Sequence, residues 1–519
     1  GAGTLIIGKD QNDAARGTGN GYGGGWLVTE GNLTPGTFGA LGNAGTVSKP
    51  NLVVLSASNT TVNPWLNLTL NSGNALNSTY TSGRIVAVDQ ATLNFDPGAN
   101  DRVQTISDVE VQSTGGTLMD AQLRVLFTNT RQRSFLQSGV LSLTNADAFT
   151  NGGAVVNVSY GANPTAGVIS GFSVASLSGS NRLTKWGQGA LYVRGDSSVA
   201  RVAGDGTAYG PFTGAVNIEQ GPLTILHPKA LGSGTVTVSR YGTLDIATTG
   251  YTGTPVYQAG SLERWSVSGA RTGSVNLGSA TVQVANDQTG NTATLTLNNG
   301  GLEGFLATDS NVATALGAAG LVYRTVGSGV SFVLNGTNTL GQNIFAGANG
   351  LDNGVTPTGV YNPLNATPSG VVLEVKGNIS GAGGFVKVSP EMVILSGSNT
   401  YTGGTTVRGG WLRMGAKDVM PPTGGVATAG EGVLDLNGFD QTVGTLASGA
   451  TGLTDALTNR SGAGFIGNSA TVLSRLSVGK GDGSGVYGGL IQGNIALTKV
   501  GSGVQTLTNA NTYNGGTVV

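Results

Sequence analysis

Short stretches with alternating hydrophobic and polar residues recur along the whole chain. Val236 and Val238 are separated by a threonine, and Leu244 and Ile246 are separated by an aspartate. Because a strand points successive side chains to opposite faces, this period of two places one set inside a sheet and the other outside. The pattern predicts many short β-strands, with further examples at Val275 and Leu277, Val282 and Val284, and Leu295 and Leu297.

Three stretches depart from this pattern. Residues 118–127 approach the 3.6-residue period of a helix, but Gly115 and Gly116 precede them, and we predict a strand. Residues 310–317 are the best helix candidate, because Ser310 can cap a helix and Gly317 can end it. Residues 338–368 are predicted to form a long polar loop or insertion.

A longer motif recurs at four places. It reads Leu-Thr-Lys-x-Gly-x-Gly, followed by a β-prone stretch and by Asn-Thr-Tyr-x-Gly-Gly-Thr. When Tyr513 is aligned with Tyr401, Asn511 falls on Asn399. The two full copies and two partial copies lie at residues 374–414 and 497–517, and at residues 1–33 and 183–225.

This motif resembles the autotransporter-associated β-strand repeat of large bacterial surface proteins. The copy at Lys387 departs from the pattern, since Val388, Ser389 and Pro390 follow it where the motif has glycines. The resemblance implies an all-β fold, a right-handed parallel β-helix with irregular loop insertions. It also implies an exported polypeptide located outside the cell or on the bacterial outer surface.

The spacing of the strands favours a solenoid over a β-sandwich. A sandwich needs hairpins with tight turns, whereas here Gly, Ser, Asn and Thr loops are longer and the motif keeps its phase after insertions. We expect coils of roughly 22 residues. Three segments are predicted: 1–180 with the first repeat and a divergent stretch near 80–150, 181–373 with the second repeat and an insertion near 338–368, and 374–519 with the two best-matching repeats.

Composition excludes several classes of function. The 519 residues include 90 Gly, no Cys and one His, and the formal net charge is -1. The absence of cysteine removes disulfides, thiolate catalysis and zinc–sulfur sites. A single histidine, His227, argues against a multi-histidine metal site or a Ser-His-Asp enzyme. The near-neutral charge gives no reason to expect nucleic acid as a partner, and no apolar run reaches the ~18 residues of a membrane span.

Clusters of charged residues are few, and we interpret them as solvated turn residues. We therefore predict no catalytic, cofactor-binding or metal-ligating residues, and no cofactor. Residues 10–13 are the nearest approach to a calcium loop, but they lack the required spacing and an Asx turn is expected. The clusters considered are Asp96 with Asp101 and Arg102, Asp196 with Arg194 and Arg201, and Lys480 with Asp482.

One cluster combines basic and aromatic residues, namely Arg124, Arg131 and Arg133 with Phe127 and Phe135. Such a cluster can bind an acidic glycan or a neighbouring fibre, and it can equally be a solvated edge.

Two tryptophans, Trp186 and Trp411, fall within motif copies. Packing in the core or in a turn is favoured for both over stacking on a sugar.

Neither end of the chain reads as a natural edge of a β-helix. Residue 1 lies inside a repeat, and the chain stops half-way through a motif at residue 519. One interpretation is a segment of a longer solenoid. The other is head-to-tail stacking, in which the last strand of one subunit completes the first coil of the next.

These observations favour a non-enzymatic, extracellular structural protein that forms a stiff β-helical stalk, fibre or filament. Its loops would serve adhesion or lateral association. The expected partners are other copies of the chain, with surface glycans or other cells as further candidates, and neither nucleic acid nor a membrane span is expected. The alternatives are a β-helical carbohydrate-active enzyme and a phage-type fibre or adhesin.

Overall fold

The computed structural model describes most of the chain. Within the described part there is no helix, and therefore no helix that could cross a membrane. The candidate helix at 310–317 and most of the insertion at 338–368 lie outside the described residues. The residues that the structure describes are 4–7, 26–35, 52–56, 64–69, 78–79, 84–96, 103–113, 121–128, 134–145, 153–161, 170–203, 206–304, 321–340, 370–388, 392–448 and 462–519.

The chain forms two compact units, residues 1–248 and residues 249–519, which we call unit 1 and unit 2. The three predicted segments, with borders after residues 180 and 373, stay a prediction. The strands of unit 1 are β1 (Thr4–Ile7), β2 (Trp26–Val28), β3 (Asn32–Pro35), β4 (Leu52–Ser56), β5 (Trp65–Thr69), β6 (Ser78–Thr79), β7 (Arg84–Val88), β8 (Gln90–Asp96), β9 (Val103–Thr105), β10 (Asp108–Ser113), β11 (Ala121–Phe127), β12 (Phe135–Asn145), β13 (Gly153–Tyr160), β14 (Gly171–Ser178), β15 (Arg182–Trp186), β16 (Ala190–Val193), β17 (Arg201–Val202), β18 (Ala208–Tyr209), β19 (Val216–Ile225) and β20 (Val236–Ile246).

Unit 2 consists of shorter strands, most of them two to seven residues long. They are β21 (Val256–Tyr257), β22 (Leu262–Trp265), β23 (Thr272–Gly278), β24 (Thr281–Val284), β25 (Thr292–Asn298), β26 (Gly301–Gly304), β27 (Leu321–Val326), β28 (Val330–Asn335), β29 (Thr337–Leu340), β30 (Gly370–Val375), β31 (Ile379–Ser380), β32 (Gly384–Lys387), β33 (Met392–Leu395), β34 (Thr405–Val407), β35 (Trp411–Met414), β36 (Gly425–Thr428), β37 (Gly430–Asp435), β38 (Gln441–Val443), β39 (Thr445–Ser448), β40 (Ala463–Gly467), β41 (Ser474–Val478), β42 (Gly485–Tyr487), β43 (Leu490–Gly493), β44 (Ile495–Lys499), β45 (Gln505–Leu507), β46 (Thr512–Tyr513) and β47 (Thr517–Val518).

Strands pair in parallel with strands that come one coil later in the chain. In unit 1, Leu191 of β16 pairs with Leu223 of β19, which pairs with Leu244 of β20. The short antiparallel pair of β17 and β18 is a local hairpin between β16 and β19. Parallel pairing needs a crossover after every strand, so this order confirms the predicted all-β parallel β-helix. It also confirms a strand at β11, where the helical reading was the alternative.

Each coil takes about 20 residues where no loop intervenes. The N–H of Ile379 donates to Asn399 Oδ1, 20 residues on, and Arg413 Nε donates to Asp435 Oδ2, 22 residues on. Insertions lengthen single coils without breaking the ladder. Asn338 Nδ2, for example, donates to the carbonyl of Gly384, 46 residues on.

Side chains that point inward stack in columns, one residue per coil. In unit 1, Val156, Lys185, Ile218 and Val238 stand on one another in register, and all four are fully buried. In unit 2, one column is apolar over most of its height but contains two charged residues. Its members are Glu263, Val282, Leu302, Leu340, Lys387, Val407 and Thr428.

Candidate functional site

The motif lysines point into the interior of the coils. Lys185 takes the place of an aliphatic residue between Val156 and Ile218, and Lys387 follows Leu340 in its column. Both lysines are completely buried. The lysine of the last copy, Lys499, stands on Val478 in the same way. Two of the three copies thus place the lysine amino group inside the core, whereas Lys499 in the last copy is only partly buried.

The Lys185 amino group is satisfied by backbone carbonyls. Its Nζ donates to the oxygens of Trp186 at 3.0 Å and Gly187 at 2.7 Å in its own coil. A third hydrogen bond, of 2.9 Å, reaches the carbonyl of Gln220 in the next coil. Burial lowers the pKa of Lys185 to about 7. The side chain is thus a tie between two coils that titrates near neutral pH.

Lys387 repeats the tie between coils, whereas the hydrogen bonds of Lys499 lie within its own coil. Lys387 Nζ donates to the carbonyl of Gly409 at 3.0 Å, 22 residues on. Lys499 Nζ donates to Val500 at 2.6 Å and Gly501 at 2.9 Å. The motif lysine therefore supplies donors to carbonyl groups at the corners of the coils, where the strand ladder is interrupted.

A glycine follows each carbonyl that accepts a hydrogen bond from the lysine of the preceding coil. Gly221 comes directly after Gln220, with φ +69°, and Gly410 comes directly after Gly409, with φ +57°. Only glycine adopts such a backbone conformation without strain. In both copies the glycine corner lies directly after the carbonyl that accepts from the lysine of the coil before it.

The motif asparagine links three coils. Asn399 Oδ1 accepts from the N–H of Ile379 at 2.9 Å, and its Nδ2 donates to the carbonyl of Val419 at 2.8 Å. These partners lie 20 residues before and 20 residues after it. In the last copy, Asn511 accepts from the N–H of Ile491 at 2.8 Å.

The motif tyrosine closes the turn that follows. The hydroxyl groups of Tyr401 and Thr405 are 2.6 Å apart, and the Tyr401 ring packs on Phe385 with centroids at 5.2 Å. Tyr513 and Thr517 repeat the 2.6 Å contact. Burial raises the pKa of Tyr401. We call the lysine, asparagine and tyrosine contacts of one copy the motif clasp.

Comparison with known proteins identifies this motif. The family model described as passenger-associated-transport-repeat matches residues 385–414 and 497–519, the two copies with the best motif. The chain carries autotransporter-associated repeats. It therefore belongs outside the cell or on the bacterial outer surface, as predicted.

A curated relative is similar to a longer stretch of the chain than the family model matches. The adhesin BmaC autotransporter of Brucella suis biovar 1 (strain 1330) is 31% identical over 173 residues, which are 32% of this chain and 5% of that protein. The chain thus spans a small part of the length of this relative. No solved structure matches the chain.

The candidate cluster at Asp196, in the loop of the partial copy at residues 183–225, makes local and inter-coil hydrogen bonds. The Asp196 carboxylate accepts from the N–H and the hydroxyl of Ser198, and these hydrogen bonds lower its pKa. Arg201 donates to the backbone carbonyl of Asp196 and not to its carboxylate. Arg194 reaches across coils to the carbonyl of Ser138 at 2.8 Å. These groups stabilise a turn and an inter-coil contact, and they do not converge on a substrate position.

The cluster at Lys480 and Asp482 is a turn as well. Asp482 has φ +61°, and its Oδ1 accepts from the N–H of Ser502 at 2.7 Å, 20 residues on. This hydrogen bond lowers the pKa of Asp482. Of the remaining candidates, Asp96 ends β8, whereas Asp101, Arg102 and residues 10–13 lie outside the described residues.

The three described residues of the basic and aromatic cluster, Arg124, Phe127 and Phe135, do not share one surface. Phe127 is buried in the core with its ring centroid 5.5 Å from that of Phe95, whereas Arg124, three residues earlier, lies on the opposite face of β11. Arg124 Nε donates to Ser159 Oγ at 3.2 Å. Phe135 packs on Tyr192, and residues 131 and 133 lie outside the described part.

The two motif tryptophans have different surroundings. Trp411 is buried in an apolar cluster with Val372, Met392 and Val433, as expected for core packing. Trp186 is 47% exposed, so core packing does not describe it.

The single histidine makes a local contact, since His227 Nδ1 accepts a hydrogen bond from the N–H of Lys229. In the described part of the chain, no three acidic or histidine side chains are placed to hold a metal ion.

One buried ionic group was not predicted from the sequence. Arg271 makes a two-pronged ion pair with Glu263, with Nη2 at 2.6 Å from Oε2 and Nε at 2.9 Å from Oε1. Both side chains are at most 1% exposed. Trp265 Nε1 donates to Glu263 Oε1 at 2.7 Å, and the Tyr257 hydroxyl donates to the same carboxylate.

The surroundings of Arg271 complete this interior group. Its guanidinium carbon lies 4.6 Å from the centre of the Tyr251 ring, and Nη1 donates to the carbonyl of Gly253. Burial acts to raise the pKa of Glu263, but the charge and hydrogen bonds of Arg271 outweigh it and the pKa is lowered. The one signal in the sequence was a glutamate at an inward position of an alternating stretch.

Proposed function

We propose that this chain is a non-enzymatic segment of an adhesin passenger, in which a β-helical support holds lateral loops outside the cell. The observation that carries the proposal is that the polar side chains of the motif point into the coils and not towards solvent. The amino groups of Lys185 and Lys387 and the hydroxyl of Tyr401 are buried and bonded within the coils. The repeats therefore serve as support, and contact with other surfaces falls to the loops. Similarity to a protein named as an adhesin supports this assignment.

Adhesion is tested with the purified chain on fluorescent beads, counted after washing on monolayers of cultured epithelial cells. We expect folded chain to retain several times more beads than heat-unfolded chain or albumin. Equal retention by all three coatings would contradict an adhesive role.

The support is proposed to be stiff. Parallel ladders bond each coil to the next, and the motif clasp adds side-chain ties across two or three coils. Pulling on single molecules from residues 206 and 519 should give a series of unfolding steps at forces well above those of an unstructured chain. A smooth extension without steps would exclude a mechanical role.

We further propose that copies of the chain associate through the strand edges or the sides of the coils. A parallel ladder can accept one more coil from any chain with matching strands, which supports association by strand addition. Sedimentation over a hundredfold range of concentration should show growing linear species. A single monomeric species at every concentration would leave the support without self-association.

A carbohydrate-active enzyme is the second candidate, because β-helices can carry carboxylates in lateral grooves. The Asp196 carboxylate accepts a backbone hydrogen bond within its own turn and the Asp482 carboxylate accepts one from the next coil, which favours the non-enzymatic role. Incubation with acidic and neutral polysaccharides, followed by measurement of new reducing ends, would detect such an enzyme.

A further inference from the structure

Three successive strands of unit 2 are alike in length and spacing. β22, β24 and β26 have four residues each. Arg264 of β22 contacts Gln283 of β24, 19 residues on, and Gln283 contacts Glu303 of β26, 20 residues on. Because the strands have equal lengths, β22 could form the same backbone hydrogen bonds with β26 as it forms with β24. We call the pairing of β22 with β26, with the intervening coil left out, the slipped pairing.

The side chains of these strands would tolerate the slipped pairing. On the face opposite to Glu263, where Gln283 and Glu303 are also buried, Arg264 would then stand beside Glu303, a residue of opposite charge. On the inner face, Glu263 would stand on Leu302 in place of Val282, and both are apolar. A strand is matched to its neighbour by the side-chain pairs that the two form, and β24 and β26 offer β22 comparable pairs.

Arg271 removes this equivalence. It opens the coil that follows Glu263, since it forms a parallel bridge with Tyr251 one coil earlier. From there it reaches back to the Glu263 carboxylate. The slipped pairing takes the coil of Arg271 out of the stack, and Glu263 would stay buried without its cation. A buried charge that loses its partner is strongly unfavourable.

The other donors to Glu263 do not discriminate in this way. Tyr257 and Trp265 belong to the same coil as Glu263 and stay with it in either pairing. Arg271 supplies the positive charge and comes from the next coil. We propose that the Glu263–Arg271 ion pair is a register lock, which selects the correct neighbouring coil when unit 2 folds.

Engineered cysteines can report the register, because the chain has no cysteine of its own. Thr252, Thr272 and Thr292 follow one another in an outward column. The bridge between Tyr251 and Arg271 places Thr252 beside Thr272, and Thr272 pairs with Thr292. Adjacent coils are about 4.8 Å apart and alternate coils about 10 Å apart. A disulfide needs Cα atoms within about 7 Å. Thr252→Cys with Thr272→Cys therefore reports the native pairing, and Thr252→Cys with Thr292→Cys reports the slipped pairing.

The test compares chains refolded from denaturant and then oxidised. Glu263→Gln with Arg271→Met removes both charges and leaves an amide oxygen as acceptor for Trp265 Nε1. We expect this change to raise the slipped disulfide at least about tenfold and to lower the native one. Glu374→Gln with Lys376→Met is the matched control, since it neutralises a partly exposed ion pair of 3.5 Å in the same unit. The control should leave both disulfides as in the parent.

Two results would overturn the proposal. One is a folded Glu263→Gln, Arg271→Met chain with no more slipped disulfide than the parent. The other is loss of β-structure in that chain, measured by circular dichroism and protease resistance, because the ion pair would then be needed for stability and not for the choice of neighbour.

Discussion

Glu263 and Lys387 lie in the same interior column of unit 2, separated by three apolar residues. At about 4.8 Å per coil they are roughly 19 Å apart, too far to neutralise each other. Each is satisfied where it lies, Glu263 by Arg271 and Lys387 by the carbonyl of Gly409. The column thus contains two separate polar ties in an otherwise apolar stack, and each can be tested by itself.

Removing the amino group of Lys387 should destabilise unit 2. We expect Lys387→Met to lower the free energy of unfolding by about 1–3 kcal/mol, because the buried carbonyl of Gly409 loses its donor. Urea unfolding measures this change. Lys376→Met is the control, since Lys376 is largely exposed, and it should change stability by no more than about 0.5 kcal/mol. Equal effects of the two changes would show that the inward amino group is not a tie.

The pKa of Lys185 predicts a rise in stability with pH. The folded value is about 7 and the ordinary value is 10.5. Between these values the unfolded chain binds more protons than the folded chain, so stability increases as pH rises. From about pH 7 to pH 9 the free energy of unfolding should grow by about 2–3 kcal/mol. A Lys185→Met chain should lack this rise, and a parent that is equally stable at both pH values would contradict the prediction.

The motif asparagine should contribute through both of its hydrogen bonds. Asn399→Ala leaves the N–H of Ile379 and the carbonyl of Val419 without this partner, and we expect a loss of about 2–3 kcal/mol. Hydrogen exchange of the Ile379 amide should become faster. Asn378→Ala removes one exposed contact to the N–H of Ser398 and should cost well under half as much. Unchanged exchange at Ile379 would rule out the link between coils.

The alternation of residues predicts the fold well and the interior charges poorly. The four aliphatic residues of β20 are all buried, because aliphatic side chains at a period of two point to the same face of a strand, and that face packs in the core. They are Val236, Val238, Leu244 and Ile246. Lys387 and Glu263 occupy the same kind of position, yet a charged residue is usually solvated. Their burial depends on partners that only the stacking of coils brings near.

Among the candidate sites, contacts between residues close in sequence could be predicted, whereas the face on which a side chain lies could not. Asp196 and Ser198 are two residues apart, so a turn could be inferred from the sequence, and the structure has one there. Arg124 and Phe127 are close in sequence but lie on opposite faces of one strand. Proximity in sequence is therefore no guide to shared surfaces in a strand with a period of two.

The motif tyrosine can be compared in two copies of the clasp. Tyr401→Phe removes a buried hydroxyl that pairs with Thr405, and we expect a loss of about 1–2 kcal/mol. Tyr513→Phe removes the same 2.6 Å contact to Thr517 at an exposed place and should cost about 0.5 kcal/mol or less. Thermal and urea unfolding measure both. A larger effect at Tyr513 would mean that burial does not set the value of this contact.

Gly485 and Gln505 should act as a coupled pair. The Gln505 amide passes from its own coil to Leu446, 59 residues away, where Oε1 accepts from the N–H and Nε2 donates to the carbonyl, both at 3.0 Å. A Cβ atom on Gly485 would lie 2.4 Å from the Leu446 oxygen and 3.0 Å from Gln505 Oε1. Gly485→Ala should therefore break this contact and destabilise the unit by about 1–3 kcal/mol.

A double-mutant cycle separates this contact from general crowding at Gly485. If the alanine acts by displacing the Gln505 side chain, Gly485→Ala should cost at least about 0.5 kcal/mol less in a Gln505→Ala background than in the parent. Crowding against the Leu446 backbone alone would give the same cost in both backgrounds. An additive result would therefore show that the Gln505 amide does not transmit the cost of the alanine at Gly485.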